Sequence, residues 1–291
     1  MHRLARRAVA HCTVWILVTS LISVATATSD RDYSSVAGAI DALAHPRNGS
    51  QWSAIDYLAR HLELSVPPLM DMVEKQQDGW IYACSALVKS KDARVLPFFI
   101  KLLSRNFFAK EPDGTRKRYG LGSKNGCTEI PFVFGGVIAS SLGEIGDKRA
   151  MPILKDAAIQ GDPEVRRNAY RAMYALGGLS LDELFDMAKK NSDPRVNIAD
   201  LITSIGWASI HSNPRIAMEI FDRIIAELPN DEYEVASAHF WKVQCLEVLK
   251  RYADAMRECE EVLKFPQFEN LTWQIRAKEP ELRAVVQQMP R

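Results

Sequence analysis

The 291 residues contain no Cys-x-x-Cys pair, and five cysteines so widely scattered exclude a zinc knuckle or a thioredoxin-like redox site. No His-Glu-x-x-His helix and no His-x3-His pair occur. His45, His61, His211 and His239 lie far apart, so they read as surface or packing residues rather than as metal ligands. No Gly-x-Ser-x-Gly elbow is present, and Ser, His and acid do not gather in any local catalytic signature. An excess of one charge is lacking too. With 37 basic against 36 acidic residues, the chain has no field that would draw nucleic acid, and none is expected as a partner. Gly120, Gly122 and Lys124 have neither the dinucleotide nor the Walker spacing, and no strand precedes them, which excludes a phosphate loop. The expected cofactor and metal content is none, and the chain is not expected to be an enzyme.

What is present begins with a leader. Arg3, Arg6 and Arg7 precede an apolar run from Val14 to Val24, and Ala25-Thr26-Ala27 offers small residues for cleavage after Ala27. The alternative is an uncleaved anchor, but an eleven-residue run is short against the roughly twenty residues a span needs. Residues 1–27 are therefore expected to be a signal peptide, and the protein to be exported, periplasmic or secreted, with no stable membrane span after cleavage. No Cys follows the run, so a lipid anchor is not indicated. Loss of the three arginines leaves 34 basic against 36 acidic residues. Cys12 leaves with the leader, and Cys84, Cys127, Cys245 and Cys259 stay in a compartment where disulfides are allowed. Cys245 and Cys259 flank a turn near Arg251 at matching distances, so the sequence leaves open a bridge between them or two buried free thiols. Asn48-Gly-Ser50 and Asn270-Leu-Thr272 are glycosylation sequons.

The centre of the chain is the stretch from Ala139 to Gly177. Ala150, Ile153, Leu154, Ala157 and Ala158 recur at helical spacing, as do Val165, Ala169, Ala172, Met173 and Leu176. Leu142-Gly143 reads as a helix end with a glycine cap, Gly161 as a second end, Asp162 as a side-chain cap and Pro163 as a first-turn residue. Helices this short gain stability only by stacking on neighbours. Ser85–Leu103 repeats as Ser140–Ala158 at an offset of 55, with Leu87, Asp92, Arg94 and Pro97 matching Leu142, Asp147, Arg149 and Pro152. Asp193-Pro194-Arg195-Val196 echoes Asp162-Pro163-Glu164-Val165 at an offset of 31. Asp147 with Arg149, and Asp162 with Arg166, read as turn residues that cap helix ends and pair with each other rather than as an acid–base couple.

This stretch resembles the HEAT-like repeats of the phycobilin-lyase type, through Leu142, Gly143, Ile145, Gly146, Asp147, Arg149, Ala150, Asp162, Val165 and Arg166. The resemblance implies an all-α fold, an α-α superhelical solenoid, in which second helices line the concave face. Such repeats serve as binding surfaces or, in the lyases, act on a chromophore. Further on, Ala217, Phe221, Ile224 and Pro229, then Tyr252, Ala255, Cys259 and Val262, follow a rhythm similar to the second helix of tetratricopeptide repeats. Leu249 to Ala255 resembles that motif's turn, with Lys250 where glycine is usual.

The expected organisation is thus a HEAT-like solenoid over residues 31–206, with a basic insertion at 105–128, and tetratricopeptide-like helices with a cap over 207–291. Helices are expected at Tyr33–Ala44, Trp52–Leu62, Pro67–Lys75, Trp80–Val88, Leu181–Lys190, Pro194–Trp207, Val235–Leu249 and Pro280–Met289. In the last, Leu282, Val285, Val286 and Met289 are expected to share the inward face. Trp52, Trp80, Trp207, Trp241 and Trp273 are expected in the core or at interfaces. The insertion carries six basic and two acidic residues with four glycines, and reads as a binding loop or as a solvated excursion.

The functional expectation is an exported scaffold whose client is a protein or peptide, acidic and extended. The alternative is a lyase-type enzyme or accessory factor. On the helix from Pro163, the residues left beside the buried stripe are Arg167, Tyr170, Arg171 and Tyr174, types that dominate binding hot spots. With Arg116, Lys117 and Arg118 of the insertion, they form the expected client site.

Overall fold

The computed structural model describes residues 33, 35–46, 49–106, 134–190, 193 and 195–288. Among these it contains fourteen α-helices and no strand: an all-α fold of stacked helix pairs, the solenoid class. The chain divides into two compact units, ending at Leu179 and beginning at Ser180. This boundary lies ahead of the change in sequence pattern near residue 207.

The first unit holds α1 (Val36–Ala44), α2 (Ser50–Arg60), α3 (Leu62–Glu74), α4 (Trp80–Ser90), α5 (Val95–Arg105), α6 (Phe134–Ile145), α7 (Met151–Gln160) and α8 (Pro163–Ala175). They pair as α1/α2, α3/α4, α5/α6 and α7/α8. The second members α2, α4, α6 and α8 lie side by side and pack closely, whereas the first members touch each other little. Ala, Leu, Val and Phe fill the space between the layers, with Leu43, Leu58, Leu69, Leu87, Phe99, Leu103, Ile138, Leu142 and Leu154 fully buried. Repeats that cannot bury their faces alone do so against neighbours, so one core runs through the unit.

The second unit holds α9 (Leu181–Lys190), α10 (Ile198–Ser209), α11 (Pro214–Glu227), α12 (Glu232–Val248), α13 (Tyr252–Leu263) and α14 (Glu269–Gln288). From α9 to α14, each helix of the unit packs on the next. α12 is covered on several sides, and even Glu234, Ser237 and Lys242 on it are buried. Arg223 of α11 ties the unit together across layers. Its Nη1 donates to Asp182 of α9 at 2.8 Å, its Nε to Glu227 at 2.6 Å, and its guanidinium stacks 4.1 Å from the Phe185 ring.

The central repeat corrects two expectations. Gly143 does not end a helix: α6 continues to Ile145, and the left-handed residue is Gly146, at φ 79°. Gly143 is needed for packing, because a Cβ there would lie 2.8 Å from Cα of Ala172 on α8. Asp162 precedes Pro163 at the N-terminus of α8, as expected, but makes no side-chain capping bond. The turn that does carry one is Asp147, whose Oδ1 accepts from the Arg149 backbone N–H at 2.9 Å while Arg149 Nη2 donates back to Oδ2 at 2.6 Å. The same clamp recurs at Asp92–Arg94 and at Asp193–Arg195. By hydrogen bonding, then, Asp193 is the counterpart of Asp147 rather than of Asp162.

Several helix starts also differ. α3 begins at Leu62 and contains Pro67 and Pro68, α14 begins at Glu269 and contains Pro280, and α10 begins at Ile198 under an Asn197 cap. On α14, Leu282 is buried but Val285 is exposed, so the inward face there is Leu271, Ile275 and Leu282. Met289, the leader, Asn48, Cys127, Pro194 and the body of the insertion lie outside the described residues.

Candidate functional site

The helix expected to carry the client site packs closely on α6 and α7. α8 lies along α6, where Gly136 and Gly143 leave room for it: a Cβ on Gly136 would come within 3.1 Å of the Asn168 amide. Val165, Ala169, Ala172, Met173 and Leu176 are all buried, as their spacing requires. The four residues beside that stripe then part ways.

Arg167 is 8 % exposed and does not present its charge outward. Its Nη2 donates to both Glu164 oxygens at 3.1 and 3.2 Å, and Asn168 Nδ2 adds a third bond to Glu164 Oε1 at 3.0 Å. A guanidinium one turn from a carboxylate is a ready partner, and the pair fixes the start of α8. Tyr170 is half-buried, and its hydroxyl donates to the Ala158 carbonyl at 3.3 Å, beside a 3.0 Å bond from Arg166 Nε to the same oxygen. Arg171 and Tyr174 are also half-buried, and they carry the accessible part of the stripe. Glu144 of α6 stands near Arg171. Crowding by protein raises its carboxyl, with the Arg171 charge opposing that rise, although the residue as a whole is exposed. Arg116, Lys117 and Arg118 lie outside the described residues.

Of the two alternatives left open for Cys245 and Cys259, the structure has two buried free thiols, and Cys84 is a third. The two helices do pack together, but the sulfurs have different surroundings. Cys245 feels Lys242 and Asp222 on the α11 side, and Cys259 feels Glu279, Glu247 and Lys278 on the α14 side. Burial pushes Cys245 up to about 12 and Cys259 up to about 11, so neither thiol is a ready nucleophile.

Sequence reasoning missed a charge network at the same place. Lys242 of α12 donates to Asp222 of α11 at 2.8 Å and to Glu258 of α13 at 2.6 Å, and His239 Nδ1 lies 2.6 Å from Glu258. Burial pushes the Glu258 carboxyl up and the Lys242 ammonium down. The bonds from His239 and Lys242 outweigh this at Glu258 and hold it below its ordinary value; those to Asp222 and Glu258 hold Lys242 above its own. The only hint in the sequence is His239 and Lys242 one turn apart on α12. Trp273, expected in the core or at an interface, is 71 % exposed on α14. It borders a cleft of about 550 Å³ lined by Pro266, Glu269, Asn270, Thr272 and Arg276.

No group of three or more His, Cys, Asp or Glu among the described residues is placed to hold a metal ion. No helix among them is long and apolar enough to cross a membrane. Comparison with curated proteins and with solved structures finds no match. The family model for HEAT repeats matches residues 136–201, from α6 through α9 into the start of α10, so that this part of the chain is similar to HEAT repeats.

Proposed function

We propose that the protein is an exported helical-repeat scaffold that holds a protein or peptide client on the α8 face, without catalytic chemistry of its own. The observation that carries this is the α8 stripe. Arg171 and Tyr174 stand half-buried on a helix locked by the Arg167–Glu164 pair and by glycine-mediated packing on α6. Arg and Tyr side chains bury large area and make directed hydrogen bonds, which is why such positions dominate interface energies. Glu144 beside Arg171 favours a client with both charges over a purely acidic one. In this proposal the helix pairs of the second unit are tetratricopeptide-like and extend the scaffold, and the first 27 residues direct export and are removed.

The test is photocrosslinking in the native host, with a photoreactive side chain at Tyr174 or at Lys155, which is exposed on α7. A discrete adduct at 174 and none at 155 is expected; the reverse pattern, or none at either, overturns the assignment. Export is tested separately by the N-terminus of the recovered protein, which should be Thr28. A lyase of the phycobilin type would transfer a bilin covalently to an acceptor, and the purified protein is expected to transfer none.

A further inference from the structure

The outward face of α14 is built unlike the rest of the surface. Leu271, Ile275 and Leu282 face the core of the second unit. Trp273 is two residues from both Leu271 and Ile275, so at about 100° per residue it points directly away from that core. Ala277, Pro280 and Ala284 follow Trp273 at steps of four, three and four, and all four residues are exposed. That spacing is a heptad seam, with Trp273 and Pro280 in one core position and Ala277 and Ala284 in the other. Small residues let another helix approach closely, and the cleft beside Trp273 gives a second indole a place to enter.

The charges along the seam select what lies across it. Arg276 and Arg283 precede the alanines, and Glu281 follows Pro280. Arg283 is engaged by Glu279 on its own helix at 2.7 Å. Arg276 and Glu281 have no ion-pair partner among the described residues. In two parallel helices related by a two-fold axis, the residue before one alanine faces the residue five further along on the other helix. Arg276 then meets Glu281 of the second copy, twice by symmetry, and Arg283 meets Gln288. No like charges oppose one another. An antiparallel pairing with the same overlap would set Arg276 against its own copy.

We infer that this face binds a second copy of the chain, forming a parallel two-fold pair of α14 helices centred on Trp273 and Ala277 with reciprocal Arg276–Glu281 ion pairs. Self-complementarity of this kind is what an isologous contact requires.

The protein purified from cells expressing the full sequence should show a concentration-dependent monomer–dimer equilibrium in sedimentation. Trp273→Ala should weaken it by at least about tenfold, the usual scale for a central aromatic anchor. Arg276→Glu should weaken it too, and adding Glu281→Arg should restore it. All these side chains are exposed, so thermal melts followed by circular dichroism should not change. Ala277→Cys, in a Cys127→Ser background, should cross-link to its own copy under mild oxidation. A chain monomeric at every concentration overturns the proposal, as does a dimer indifferent to Trp273→Ala or a charge swap that fails to restore it. A monomer that loses a client on Trp273→Ala assigns the face to that client and equally overturns it.

Discussion

Lys250 ends α12 at φ 58°, in the region that glycine occupies at little cost. Its N–H donates to the Glu247 carbonyl at 2.9 Å and that of Arg251 to Leu246 at 2.7 Å, the two bonds of a Schellman cap. The same pair follows α8, where Gly177 N–H donates to Tyr174 and Gly178 N–H to Met173. Two caps of the same bonding thus hold glycine in one case and lysine in the other, and the lysine is the strained one, because its Cβ makes the left-handed region costly. Lys250→Gly relieves a left-handed penalty of about 1–2 kcal/mol and adds unfolded-chain entropy worth about 0.5–1 kcal/mol. The expected outcome is a higher urea midpoint with unchanged slope. Gly143 is the opposite case. Gly143→Ala places a methyl 2.8 Å from the Ala172 backbone, which neither helix can yield without moving. A loss of about 1–3 kcal/mol is expected in the same assay, as for other overpacked contacts.

Among the elements, the helices read well where apolar spacing was the signal and poorly where proline was. Pro163 and Pro214 do open α8 and α11, where a missing N–H costs nothing. Pro67, Pro68 and Pro280 look identical in sequence yet sit inside helices. Burial of Val66, Leu69, Met72 and Val73 holds α3 together across its prolines, a tertiary gain that no local pattern displays. The candidate site was legible to the same extent. The position of the α8 stripe followed from spacing, but that Arg167 would turn onto Glu164 depended on which acid lay one turn away and on how closely α6 approached. The Lys242 network was not legible at all, because its members come from three helices. It makes a pH prediction. Glu258 titrates below its ordinary value, so its stabilisation is complete above the unfolded carboxyl range and is lost as pH falls through the depressed folded value. Lys242 titrates above its ordinary value, so its share is complete below the unfolded lysine range and is lost as pH rises through the raised folded value. Lys242→Met should lower stability at neutral pH by about 2 kcal/mol, the scale of a charged hydrogen bond removed from a buried partner, and should flatten the acid limb in denaturant titrations. At the turn clamps, the side-chain hydrogen bond from Arg94 holds the Asp92 carboxyl at about 2. Arg94→Ala should raise its NMR midpoint part of the way toward the usual range near 4, because the residue-94 backbone N–H still donates to Asp92.

At the scale of the molecule, the repeat architecture was the most legible feature. The offset between Ser85–Leu103 and Ser140–Ala158 returns as two identical Asp–Arg clamps, each leading into the first helix of a pair. The division into units was less so, because the sequence changes rhythm near 207 whereas compactness changes at Ser180. Rhythm reports which face of each helix is apolar, and compactness reports which side chains share a core. The two cores make the last prediction. Phe99 and Phe221 are both fully buried, the first in the unit ending at Leu179 and the second in the unit beginning at Ser180. Either Phe→Ala change should cost about 3–5 kcal/mol. Because stacked repeats are stabilised mainly by their nearest neighbours, that loss should not spread evenly. In native-state hydrogen exchange, Phe99→Ala should lower protection chiefly in α3 to α8, and Phe221→Ala chiefly in α9 to α14. Equal loss along the whole chain from either substitution would show that the two cores open as one, and a single unfolding free energy would then describe the protein.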